Sequence, residues 1–129
     1  MPPSFWERTS ETLPERAMTE RLSASVEASG LIRRAEAAGD FGAILHKGDA
    51  DSGSLLIIVR KRGAFVACLE RTLGRNGYKW GAAGPEPQAP EEEVSRFLAR
   101  RTGFDPDLWL IELDIAQPER FIAETTSAG

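Results

Sequence analysis

Apolar and polar positions alternate most plainly near the end of the chain. Trp109, Ile111, Leu113 and Ile115 fall on one side of an extended segment, and Glu112 and Asp114 fall on the other. That pattern predicts a strand over residues 108–115 with one face on a core and one in water. The run Leu55-Leu56-Ile57-Ile58-Val59 has no polar member. It predicts a strand over 54–61 buried on both faces and therefore central in its sheet. Residues 41–47 form a further strand, and Gly48-Asp49-Ala50-Asp51-Ser52-Gly53 joins it to 54–61 as a hairpin with a loop longer than two residues. Arg62-Gly63 turns the chain into 64–71, where Phe65, Ala67 and Leu69 alternate with Val66, Cys68 and Glu70. Gly74-Arg75-Asn76-Gly77 leads to a short strand at 78–80.

Two segments carry helical signals. Residues 23–38 mix alanines with Val26, Leu31 and Ile32, and Gly39 suits the left-handed residue just past a helix end. Gly30 weakens that helix by about 1 kcal/mol relative to alanine, so it marks a bend or a close approach. The second helix begins after Pro90, with Glu91-Glu92-Glu93 at its positive dipole end and Val94, Phe97 and Leu98 as its apolar stripe. Arg100-Arg101 suit its far end and Gly103 stops it. The short segment 120–122 docks on the domain, and 124–129 frays. The fold class is α+β: an antiparallel β-meander of four to five strands with two packed helices. Residues 1–18 form a poorly ordered arm, 19–125 a single domain and 126–129 a frayed end.

Composition narrows the setting. No apolar stretch approaches the ~20 residues of a membrane span, and the first residues lack the basic and apolar regions of a signal peptide. The single cysteine, Cys68, gives no internal disulfide, so the expectation is a cytoplasmic protein without a membrane partner. The net charge of −4 is uneven. Residues 103–129 hold six acids against one arginine, whereas residues 30–81 hold nine bases against five acids. The basic excess is modest beside that of most nucleic-acid-binding domains, so nucleic acid is an alternative partner and not the leading one.

Asp49 and Asp51, two apart in a Gly-rich loop, are spaced like the first carboxylates of a calcium loop. The pattern then fails: Gly53 stands where another oxygen donor belongs, and Arg60 where the twelfth-position acid belongs. The simpler reading is a turn whose aspartates accept backbone hydrogen bonds and whose glycines adopt positive φ. Asp105-Pro106-Asp107 is a second acidic pair. Were it to meet the first loop, four carboxylates could hold Mg²⁺ or Mn²⁺ and support a metal-dependent enzyme acting on a phosphate ester. His46 and Cys68 would need contact across the sheet to act as a base–nucleophile pair, and the 54–61 strand is expected between them. Trp80 and Trp109 read as core anchors.

Several blocks together resemble the alphaproteobacterial domain-of-unknown-function family number 1491. They are Arg33-Arg34, Gly39-Asp40-Phe41-Gly42, Lys47 to Gly53, Phe97 to Arg101, and Phe104-Asp105-Pro106-Asp107-Leu108-Trp109-Leu110-Ile111-Glu112. The resemblance spans roughly residues 19–125, supports Met18 as a natural start, and implies no reaction, cofactor or partner. The leading expectation is a binding or interaction domain without catalysis or cofactor, pairing as a homodimer through a sheet edge. Arg33, Arg34, Gly48, Asp49, Asp51, Gly53, Asp105 and Asp107 are its candidate ligand-binding residues.

Overall fold

The computed structural model describes residues 23–51, 53–74 and 77–127. The predicted arm with Met18, Ser52 of the first turn, the Arg75-Asn76 turn and the last two residues lie outside the described residues. In chain order the elements are α1 (Ala24–Ala37), β1 (Phe41–His46), β2 (Leu55–Lys61), β3 (Ala64–Gly74), β4 (Gly77–Ala83), α2 (Glu91–Phe104), β5 (Trp109–Asp114) and α3 (Pro118–Ser127). The five strands form one sheet in the order β1-β5-β2-β3-β4. The α+β class and the five-strand sheet are as expected, with β2 central and β2-β3-β4 a meander. The parallel β2–β5 pair and a third helix add to the expected antiparallel meander and two helices.

The first hairpin is not formed. β5 inserts between β1 and β2, antiparallel to the first and parallel to the second. Only the return of the chain from α2 brings β5 there. Its polar positions are consequently engaged, not bathed in water as expected. Glu112 accepts from Arg60 on β2, and both Asp114 oxygens accept the N–H groups of Arg62 and Gly63 at 2.8 Å. Those two residues have positive φ, 52° and 83°, which suits a two-residue hairpin turn between β2 and β3.

The sheet is covered on both faces. Leu55, Ile57, Val59, Trp109, Ile111 and Leu113 face one core, closed by Ala24, Ala28 and Ala35 of α1 and by Phe121 and Ile122 of α3. Leu56, Ile58, Leu108 and Leu110 face the other, closed by Val94, Phe97 and Leu98 of α2. Phe65 was expected beside Leu69 but lies with Cys68. The β2–β3 register shifts between Val59 and Arg60, leaving Val66 as an extra residue, and one extra residue exchanges the two faces of a strand.

The helix ends follow local rules. Gly39 has φ +86°, with its N–H on Glu36 O and the Asp40 N–H on Ala35 O, a Schellman closure of α1. Gly103 does not stop α2. That helix runs to Phe104 and ends at Asp105, whose extended backbone (φ −136°, ψ 86°) is what a residue before proline prefers. The docked segment expected at 120–122 belongs to a ten-residue helix, α3, with the buried Pro118 at its first position.

Candidate functional site

The two acidic loops do meet, through backbone and not through carboxylates. The Asp49 N–H donates to Asp107 O at 3.0 Å, and Trp109 Nε1–H donates to Asp49 O at 2.7 Å. Each loop is closed by an aspartate in the way the turn reading expects: Asp49 Oδ2 accepts the Asp51 N–H, and Asp105 Oδ1 accepts the Asp107 N–H, both at 3.1 Å. Ala50 O and Asp51 O accept the Ser25 and Ala24 N–H groups, so this loop caps α1, whose Ser23 side chain does not. Among the described residues, no group of three or more His, Cys, Asp or Glu side chains could hold a metal ion.

The glycines have a different reason from the one expected. Neither Gly48 nor Gly53 has positive φ. A Cβ on either would overlap the Asp107 carbonyl oxygen, and on Gly48 it would also come within 2.7 Å of the Leu108 carbonyl carbon. Glycine is required because the 47–54 connection crosses directly over the chain entering β5. Gly48, Asp49, Asp51, Gly53, Asp105 and Asp107 therefore form a clasp joining α1, β5 and the loop.

Arg33 and Arg34, the remaining candidates, line an open groove of about 890 Å³ on the other side of α1. Its walls are α1 and α3, and its floor includes Trp80, Leu113 and Ile115. Leu31 and Phe121 pack against the core beneath, and Arg120 and Glu124 stand on the α3 wall, joined at 3.0 Å and both exposed. Glu27 pairs with Arg71 at 2.5 Å, and the Arg71 guanidinium lies 5.0 Å from the Tyr78 ring and 5.8 Å from the Trp80 ring. Trp109 is a core anchor, whereas Trp80 is half-buried at the groove. The groove went unseen in the sequence, where its only trace is Gly30 four residues before Arg34.

On the opposite face Arg60 gathers three partners. Its Nε donates to Glu112 at 2.7 Å, Nη1 and Nη2 donate to the two Glu91 oxygens at 2.7 and 3.1 Å, and Nη1 also reaches Gly63 O. The hydrogen bonds that Arg60 donates to Glu91 raise the Arg60 pKa, and the same bonds lower that of the exposed Glu91. Arg101 binds Glu70 at 2.5 Å. Within the basic segment 30–81, Arg60 and Arg71 are committed to ion pairs.

A family model described as a protein of unknown function, DUF1491, matches residues 22–123. The chain belongs to the DUF1491 family. A crystal structure of a DUF1491 family protein from Caulobacter crescentus CB15 is similar, with TM-score 0.65 and 27% identity over 72% of this chain and 87% of that one. An NMR structure of a DUF1491 family protein from the same strain gives 0.66 and 27% over 75% and 88%. The solution structure of protein Atu0922 from A. tumefaciens gives 0.58 and 29% over 73% and 86%. Among the curated proteins, none matches the chain.

In this DUF1491 chain His46 and Cys68 are separated by both β5 and β2, and His46 Nδ1 instead bonds Leu108 O at 2.8 Å. Burial pushes the Cys68 thiol up to about 12 from 9.0, against the opposing pull of Arg101 and Arg60. The sign is that of a raised acid: protonated in both states below 9, then ionising only when unfolded, so stability falls as pH rises from 9 towards 12. At pH 8 the native DUF1491 domain is expected to leave this thiol unreactive towards a colorimetric disulfide reagent, with complete reaction in denaturant. Rapid reaction of the native protein would contradict the buried placement. Among the described residues, no helix is long and apolar enough to cross a membrane.

Proposed function

We propose that the domain is a cytoplasmic interaction module without catalytic activity, paired with a second copy through β1. The observation that carries this reading is the character of that edge. β1 is a terminal strand of the sheet with no charged residue, and Phe41, Ile44 and Leu45 are 57%, 42% and 48% exposed. Leu45 has no partner on β5 because the register shifts there, so its side chain adds to the outer surface. The other edge, β4, carries Lys79 in its middle, a common protection against strand pairing that β1 lacks. Asp40 precedes β1 and Lys47 follows His46. Antiparallel pairing of two copies brings the acidic start of each strand to the basic end of the other, whereas parallel pairing sets like against like. The cytoplasmic placement is supported by Cys68, a free buried thiol that calls for no oxidising compartment.

The test is mass by light scattering and sedimentation over a wide concentration range. Twice the chain mass is expected for the unaltered protein, with Leu45→Lys shifting it to the monomer. Ala82→Lys, a matched change at an exposed position of β4, should leave the dimer intact. A monomer at every concentration, or equal dissociation by both changes, would overturn the proposal.

A further inference from the structure

We propose that the groove between α1 and α3 binds an amphipathic monocarboxylate, an apolar chain or ring ending in one carboxylate, with Arg34 holding the acid and Trp80 and Phe121 meeting the apolar body. No residue of β1 lines the groove, and the two surfaces share only Asp40, which precedes that strand. Its volume of about 890 Å³ falls in the range of small-molecule sites, and it sets an apolar floor of Leu31, Trp80, Leu113, Ile115 and Phe121 beneath a charged rim.

The charge balance selects the ligand. Of the acids at the groove, Glu27 is answered by Arg71 and Glu124 by Arg120. Asp40 accepts the Ala116 N–H at 3.1 Å and makes no ion pair among the described residues. Against it stand Arg33 and Arg34, neither of which makes an ion pair among the described residues. The surplus is a single positive charge, which matches a monoanion more closely than a doubly charged phosphate. A guanidinium can present two parallel N–H donors to a carboxylate, the geometry that makes such pairs strong.

Gly30 supplies an independent observation. It sits in the interior of α1 with ordinary helical backbone, where glycine costs about 1 kcal/mol and no turn requires it. A Cβ there would lie 3.6 Å from Arg34 Nη1 and touch nothing else. The guanidinium therefore folds back along the helix over Gly30, into the groove that both residues line. Alanine fits in that space, while a larger side chain would displace the guanidinium and fill the cleft.

The experiment titrates the full chain with decanoate, decanol and decyltrimethylammonium below their aggregation limits, read by calorimetry and by tryptophan fluorescence through Trp80. Decanoate should bind saturably with one site per chain, at least about tenfold tighter than decanol, and the cation should bind weakest. Arg34→Gln should bring decanoate down to the level of decanol without changing decanol. Gly30→Leu should abolish both, and Gly30→Ala should keep both while unfolding at an equal or higher temperature. Equal affinities for decanoate and decanol, unchanged decanoate binding in Arg34→Gln, or absence of saturable decanoate binding would each overturn the assignment.

Discussion

Gly53→Ala is expected to lower the unfolding free energy by about 3–4 kcal/mol and the melting temperature by more than about 10 °C. Gly53 is buried, and its added Cβ would overlap the Asp107 carbonyl oxygen while pressing on Asp49 O and Trp109 Cδ1 at 3.0 Å. Two of those atoms are backbone, so no rotamer change relieves the contact. Nor can the 105–108 segment retreat. It is held by the Asp49 N–H, by its own aspartate turn and by the fully buried Leu108. Displacing it would also strain the Trp109 bond to Asp49 O and the carbonyls that cap α1. Gly48→Ala meets the same carbonyl and should behave alike. Gly81→Ala is the control: it meets nothing within 4 Å and has no positive φ, so its effect should stay within about 1 kcal/mol. Denaturant unfolding measures all three, and a loss below about 1 kcal/mol for Gly53→Ala would show that the crossing loop can move aside.

Arg60→Met should cost about 2 kcal/mol at neutral pH. The Arg60 side chain is 13% exposed and that of Glu112 is 22%, so removing the guanidinium leaves a largely shielded carboxylate beside β2 without its donor. The Glu91 contact adds little, because that carboxylate is 61% exposed and screened by water. If the penalty comes from the stranded charge, the double change Arg60→Met with Glu112→Gln should recover more than half of it. Acid gives a second check. The lowered Glu91 pKa means that its small contribution is present above 4.5 and disappears as pH falls through the lowered value. Glu91→Gln should remove that slope while leaving neutral stability nearly unchanged. A double variant no more stable than Arg60→Met would place the cost in lost packing of the arginine stem instead.

The contrast between the glycine and arginine predictions reflects what a linear chain can encode legibly. The apolar run of β2 marked it as central and the alternation in β5 gathered its core face, because strand periodicity is written in consecutive residues. Gly39 as the end of α1, and Arg62-Gly63 as a turn, were equally readable, since backbone sterics at one or two residues decide them. Of the turn reading, one half was legible: Asp49 and Asp105 each accept a hydrogen bond two residues along their own loops, whereas Gly48 and Gly53 do not adopt positive φ. The end of α2 was misplaced by two residues because the constraint came from Pro106, beyond the glycine that drew attention. The α3 helix was underestimated, since its apolar contact is confined to a few positions.

The loop from Gly48 to Gly53 shows where local information ends. Its sequence determined a connector rich in turn-forming residues, with carboxylates spaced for a ligand and glycines whose purpose a sequence leaves ambiguous. Tertiary structure alone decided that β5, more than fifty residues later, runs beneath it, so that those glycines answer a carbonyl and not a torsion angle. The groove, the Arg60 cluster and the open β1 edge share that origin. Each is set by which strands become neighbours, and strand neighbours are chosen by burial summed over both faces of the sheet, a quantity that no short stretch of the chain contains.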